Sequence, residues 1–371
     1  MKLIFKKLFL IISFAWFLSF PLTLQAKVVT YDLFIKESSV NFTGKDVMAL
    51  TVNGQVPAPT LEFTEGDLAK IRVHNQMMME TSIHWHGILL PNRQDGVSYL
   101  TTPPILPGKT HEFEFPIIQS GTYWYHSHTM FQEQQGVYGP IVIKAKEENF
   151  PKTQDKVLVL SDWTNENPKE VMRTLKRGSH YYALKKKNAP SLVGAIKEKS
   201  LGAYLKNSLK SMPPMDLSDV AYDAFLANGK KEDQLVAAKP GQWIRLRIVN
   251  ASASTYFYLE YAKGPMKIIA ADGTDVEPFE DNRLLIAIAE TYDLLLKVPK
   301  EGAYELRATA QDGSGHTSYF IGSGKKNLAP EIPKASLYKM EHGMHNMHHN
   351  MANMSDMANM DHSMSHGSHG M

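Results

Sequence analysis

The sequence predicts an all-β protein, two β-sandwiches in tandem followed by a segment that cannot build a core. Three observations lead there. Short runs rich in β-branched and aromatic residues alternate with clusters of turn formers, a spacing that suits sandwiches or barrels. A turn motif recurs in the same order, Asn53-Gly54 then Thr64-Glu65-Gly66 in the first half and Asn228-Gly229 then Lys239-Pro240-Gly241 in the second, as an internal repeat of one β-fold requires. After Lys325 the composition changes to Met, His, Gly, Asn and Ser.

Residues 1–26 have the layout of a secretory signal: Lys2, Lys6 and Lys7 precede an apolar run over 8–20, then come Pro21 and the small Ala26. The pair before the apolar run is Lys6-Lys7 and not two arginines, so the general secretion route is expected. Cleavage would start the mature chain near Lys27 and leave no stable membrane anchor. Residues 27–147 read as the first sandwich, with strands expected at 28–35, 48–52, 68–73, 111–115, 121–126 and 137–143. Asn53-Gly54, Pro57-Ala58-Pro59, Glu65-Gly66-Asp67 and Pro107-Gly108-Lys109 are the turns between them. Residues 155–325 read as the second sandwich, with strands expected at 156–160, 224–229, 243–249, 256–261, 284–288 and 292–298. Its lysine-rich stretch, about 168–210, reads as a helical insertion with a solvated face. Residues 326–371 form a tail whose last part, 340–371, holds nine Met and seven His. Too few core-forming side chains remain there to offset the entropy of ordering, so disorder without a ligand is expected.

At 371 residues the chain can build two domains with independent cores. It contains no cysteine, which excludes disulfides and thiolate ligands from this sequence. The net charge of +2 is small for the length and argues against a nucleic-acid partner.

Chemistry concentrates in two His-X-His motifs, His84-Trp85-His86 and His126-Ser127-His128. Along an extended strand residues i and i+2 face the same way, so each motif offers two imidazoles side by side. One such pair is often an ordinary strand face. Two pairs in one domain, among Trp85, Tyr123, Trp124 and Tyr125, point to a metal. Imidazole suits copper, zinc, iron and nickel alike, so ligand type alone does not name it.

The strings TSIHWHGILLP (81–91), DGV (95–97), SGTYWYHSH (120–128) and GVYGP (136–140) resemble the first domain of multicopper oxidases, of the periplasmic copper-resistance protein A type. LSDWT (160–164), NASASTY (250–256), AADG (270–273) and AETYD (289–293) carry the similarity through the second domain. The resemblance implies a cupredoxin-like Greek-key sandwich in both domains, a periplasmic location and copper as cofactor. It places the histidines in a three-copper cluster that reduces dioxygen to water, with His84 on the type 2 copper and His86, His126 and His128 on the type 3 pair. Asp95 matches a carboxylate that orients water and relays protons in relatives; read by itself it is the first residue of an Asp-Gly turn.

The resemblance also implies what this sequence does not contain. A complete cluster of this family takes eight histidines, four of them from a later domain, together with a cysteine on the type 1 electron-entry copper. No second set of His-X-His motifs occurs between residues 211 and 339, where His316 stands alone and reads as an ordinary polar residue. In the copper-resistance relatives a methionine-rich stretch leads from the second domain into the third, and this sequence ends within such a stretch. Truncation, a split gene and specialisation to copper binding all remain open. The expected function is copper binding in copper resistance and homeostasis, catalytically incomplete as a single chain. The alternative is an oxidase acting on copper or phenols with dioxygen, completed by a separately encoded C-terminal cupredoxin domain.

Soft thioethers select Cu(I) while imidazole takes Cu(I) or Cu(II), which makes the tail a copper site in its own right. Its expected ligands are Met340, His342, Met344, His345, Met347, His348, His349, Met351, Met354, Met357, Met360, His362, Met364, His366 and His369. Met351, Met354, Met357 and Met360 recur every three residues, but Asn, Ser and Asp fill the gaps and no core-facing helix side results. Met77-Met78-Met79, close to His84 in sequence, reads either as a transient cuprous contact or as a loop covering.

Overall fold

The computed structural model describes residues 26–147, 153–177, 181–187, 191–209, 220–235 and 239–334. All of the expected secretory signal except Ala26, and all the proposed tail ligands, lie outside the described residues. The chain divides into two compact units. One takes the residues up to Arg173, Tyr222–Gln311 and Gly315–Glu331; the other takes Thr174–Ala221, Asp312–Ser314 and the residues from Ile332 on.

Both β-sandwiches lie in the first unit. The N-terminal one uses β1 (Val28–Val40), β2 (Val47–Val52), β3 (Leu61–Thr64), β4 (Leu68–Asn75), β5 (His84–His86), β6 (Thr110–Pro116), β7 (Gly121–His126) and β8 (Tyr138–Lys144). They form two four-stranded sheets ordered β2-β1-β4-β6 and β3-β8-β7-β5. β1 runs parallel to β4 and β3 parallel to β8, and the other pairs are antiparallel. In β4 the alternation is clean: Ala69, Ile71 and Val73 turn inward, where Leu33, Leu61, Trp85, Phe113 and Tyr125 complete the core.

The second sandwich uses β9 (Gln154–Trp163), β10 (Ala224–Ala227), β11 (Glu232–Leu235), β12 (Trp243–Asn250), β13 (Phe257–Tyr261) and β14 (Met266–Ala271). It continues with β15 (Thr274–Asp281), β16 (Leu284–Ile286), β17 (Thr291–Lys297), β18 (Gly302–Ala310), β19 (His316–Ser323) and β20 (Lys326–Asn327). The sheets are β10-β9-β12-β17-β14-β15 and β11-β19-β18-β13-β16, with β20 beside β18.

The repeated Asn-Gly pairs do the same work twice. Asn53 and Gly54 have φ of 53° and 81°, Asn228 and Gly229 of 51° and 76°, the left-handed pair that a two-residue hairpin turn needs. Asn53 Oδ1 accepts from Phe34 N–H on β1 at 2.7 Å, and Asn228 Oδ1 accepts from Val159 N–H on β9 at 2.8 Å. Each turn is thereby bonded to the first strand of its own sandwich.

All the strands expected from sequence are present within a few residues, β1 running five residues past its expected end. The reading missed β3, β5, β11, β14, β15, β18, β19 and β20. β15 is an exposed edge with no apolar alternation. In β18 and β19 buried polar residues, Glu305, Arg307, Thr317 and Ser318, interrupt the apolar pattern: Arg307 pairs with Glu305 two residues away on β18, Ser318 reaches Glu305 from β19, and Thr317 donates to the Lys231 carbonyl just before β11.

A buried polar junction joins the two sandwiches. Thr122 on β7 donates to Asp293 Oδ1 at 2.6 Å and accepts from Arg247 Nη1 at 2.9 Å, while Arg245 Nε donates to Asp293 Oδ2 at 2.7 Å. Beside it Val56, Trp124, Tyr138, Val159, Val249 and Ala251 form an apolar seam.

The lysine-rich insertion is helical, as expected: α1 (Pro168–Lys176), α2 (Tyr181–Lys185), α3 (Leu192–Lys197) and α4 (Leu201–Leu209). Ser191 caps α3, its Oγ accepting from Gly194 N–H at 3.1 Å. Within the second unit Lys186 and Asp312 make a buried ion pair at 3.1 Å.

Candidate metal centre

The period of two in β5 sends Trp85 into the core, fully buried against Phe113, Phe115 and Tyr125, and turns His84 and His86 to the opposite face. β7 pairs with β5 so that His84 lies opposite His126 and His86 opposite Trp124. Directly opposed residues share a face, so three imidazoles and one indole stand together.

His128 arrives differently from the strand geometry expected for it. β7 ends at His126, and His128 is carried on the turn that follows. That turn is locked by buried side chains. Gln132 Oε1 accepts from Thr81 Oγ1 at 2.6 Å and Ser127 Oγ at 2.9 Å, Gln132 Nε2 donates to Glu80 O at 2.8 Å, and His128 N–H donates to Ser82 Oγ at 3.0 Å.

All four histidines of the two motifs are thus brought together. Ring centroids are 4.9 Å apart for His84 and His128, 4.9 Å for His126 and His128, and 5.5 Å for His86 and His126. One ring nitrogen each from His84, His126 and His128 lies within 4.8 Å of the others. His86 Nδ1 and His126 Nε2 face each other at 3.3 Å. Trp124 stacks on His126 at 4.1 Å with an 11° tilt and on His86 at 5.0 Å, so the indole closes one side of the cluster.

The electrostatics suit a metal. Burial, then the neighbouring His126 and His84, push His86 down to about 4, and the same causes in the same order lower His128. Neutral imidazoles keep a lone pair for a cation, and convergent nitrogen donors at this spacing fit copper.

Asp95 follows a 3-10 turn, Asn92–Gln94, and reaches His84 mainly through its backbone. Its carbonyl accepts from His84 Nδ1 at 2.9 Å and its carboxylate Oδ1 lies 3.3 Å from the same nitrogen. Gly96 allows this approach, since a Cβ there would sit 1.7 Å from Ile83 O. With Nδ1 so engaged, His84 offers Nε2 to a ligand. Of the methionine triplet, Met77 is 3% exposed and belongs to the core, whereas Met78 is 92% exposed.

Glu133 was not foreseen. Its Oε2 lies 2.6 Å from the buried Nδ1 of His126. Only the fold-back of the turn after His128 places it there, and no motif in the sequence marks it.

Tandem β-sandwiches with an outward face of four clustered imidazoles define a cupredoxin-type metal-binding protein. Two multicopper oxidase family models match, one over residues 35–148 and one over 154–323, and the chain belongs to the multicopper oxidase family, whose cofactor is copper. It is 40% identical to copper resistance protein A of Pseudomonas syringae pv. tomato over 312 residues, covering 82% of this chain and 51% of that protein. Copper resistance protein A of Escherichia coli is 39% identical over 325 residues, covering 85% of this chain and 53% of that one. The chain therefore spans about half the length of these curated relatives. Among solved structures, Fet3p, described as a multicopper oxidase that functions in iron import, superposes with a TM-score of 0.64 at 22% identity, covering 85% of this chain and 56% of that one. Botrytis aclada laccase gives a TM-score of 0.61 at 25% identity, covering 86% and 56%.

Proposed function

We propose that this protein is an exported, periplasmic copper-binding member of the family that serves copper resistance by holding copper. His84, His86, His126 and His128 are the residues that hold it in the first sandwich, and the Met/His tail adds further capacity. The observation that carries this reading is the convergence of the four imidazoles, two of them shifted toward the neutral form. Copper bound there supplies one-electron chemistry between its cuprous and cupric states. Trp124 excludes water from one side of the cluster, and Asp95 orients His84 through Nδ1. Proton relay by the Asp95 carboxylate belongs to the same proposal.

A second reading, an oxidase completed by a separately encoded cupredoxin domain, is favoured by the space beside His86. That imidazole borders a cavity of about 780 Å³ lined also by Tyr123, Trp124, Arg245 and Glu290.

The test is copper uptake by the mature chain, measured as stoichiometry together with paramagnetic resonance, with and without the residues after Lys339. Copper that falls on tail removal while the histidine-bound signal persists, with no oxygen consumption, is expected. Less than one copper per chain would sink the sequestration reading, and oxygen consumption by the chain alone would refute its catalytic incompleteness.

A further inference from the structure

We infer that Glu133 is the positioning residue for His126, its carboxylate holding the imidazole proton on Nδ1 so that Nε2 turns its lone pair toward Nδ1 of His86. The inference rests on the copper reading of the four histidines and adds a residue that no motif marks.

Two constraints are needed to aim an imidazole, the plane of its ring and the edge that carries the proton. Trp124 supplies the first by lying almost parallel to His126 at 4.1 Å. Stacking does not decide the second, because a ring flipped by 180° lies on the indole equally well. Glu133 decides it. The His126 Nδ1 is buried and has no hydrogen-bonded partner, while the Glu133 oxygen is 2.6 Å away. A carboxylate accepts and cannot donate, so a proton belongs on Nδ1 and the lone pair on Nε2. That nitrogen is the one 3.3 Å from His86 Nδ1.

Glu133 is itself held in place. The turn that carries it is closed by Gly136 N–H donating to Glu133 O at 2.9 Å and is clamped by the neighbouring Gln132 side chain. No lysine or arginine pairs with Glu133 among the described residues. Each His-X-His motif therefore has one histidine braced at Nδ1 by an acidic residue from a following turn, His84 by Asp95 and His126 by Glu133. Bracing of this kind fixes the tautomer and strengthens the imidazole as a donor; its loss typically costs about 10–100-fold in metal affinity.

The test begins on metal-free, full-length mature protein with nitrogen-15 NMR of the imidazoles, which reads the tautomer whether or not copper binds. Wild type is expected to show His126 protonated on Nδ1, Glu133→Gln to keep that state through its amide oxygen, and Glu133→Ala to move the proton to Nε2. Glu133→Leu, which preserves side-chain bulk without an acceptor, should behave as Glu133→Ala and covers the case in which the smaller residue impairs folding. Copper competition should then show about 10–100-fold weaker binding at the histidine face for the Ala and Leu variants. The nitrogen hyperfine pattern should change with unaltered thermal midpoints. A His126 tautomer unchanged in both variants overturns the proposal, as does copper affinity within twofold of wild type. Failure of wild type itself to bind copper would count against the proposed function, leaving the tautomer result to decide the role of Glu133.

Discussion

The two sandwiches repeat one backbone and use the same face of it in opposite ways. β3-β8-β7-β5 in the first corresponds to β11-β19-β18-β13 in the second, each opening with a parallel pair and continuing with antiparallel ones. On β5 and β7 the outward positions are His84, His86 and His126, whose converging nitrogens leave lone pairs for a cation. On β13 and β18 the opposed pair is Glu260 and Arg307, flanked by Glu305 and by Arg283. There Arg307 Nη2 donates to Glu305 at 2.9 Å, Arg283 Nε donates to Glu260 at 2.9 Å, and Ser318 also donates to Glu305. One face gathers donor nitrogens that, on the proposed reading, take an ion, and the other is closed by its own ion pairs. The strand frame supplies a place for polar groups, and the side chains decide whether it becomes a site.

The strongest way to break this contrast is to remove a histidine. On the proposed reading His126→Ala removes a direct ligand and should lower copper affinity of the first sandwich by well over the about 100-fold typical of losing a supporting contact. Denaturant melts should show a smaller loss, from the buried stacking of His126 on Trp124; equal loss of stability and copper would mean that the histidines serve the fold.

A smaller effect is expected from the closed face. Glu305→Gln leaves the buried Arg307 without its anionic partner and should cost about 3 kcal/mol in urea unfolding. Burial by itself would raise the Glu305 carboxyl, but Arg307, Ser318 and the Ala329 N–H hold it below its ordinary 4.5. A carboxyl lowered in the folded state stabilises above its unfolded value, so this contribution is present above about pH 4.5 and is lost as pH falls through the lower folded value. Melts of wild type against Glu305→Gln between neutral pH and pH 3 should converge. A constant gap would show that Glu305 does not titrate in this way.

The smallest expected effect sharpens the link between the regions. Thr122 joins the β7 strand to Asp293 and Arg247, and Thr122→Val should cost about 1–3 kcal/mol by leaving buried partners unmet. Thr122→Ser should restore most of it. A Val variant as stable as wild type would mean that the Thr122 hydroxyl contributes nothing to the junction between the sandwiches.

Much of this was legible beforehand for identifiable reasons. The Asn-Gly pairs announced their turns because left-handed backbone is cheap for those residues. The two His-X-His motifs were visible because the period of a strand puts alternate residues on one face. β18 and β19 were not, because Glu305, Arg307 and Ser318 look like loop residues until their pairing, within β18 and across from β19, is known. Glu133 was hidden for a related reason: its distance to His126 is short only after the chain reverses.

The sequence by itself determined the all-β class, the tandem repeat, the family and the four imidazoles, since each depends on local periodicity, turn chemistry or contiguous motifs. It took the tertiary structure to show that the two histidine pairs meet, that Met77 is core while Met78 is exposed, and that Glu133 comes to lie beside His126 as Asp95 lies beside His84. Those outcomes depend on strand register and on the path of a turn. Both are set by packing between residues far apart in the chain, which no local pattern records.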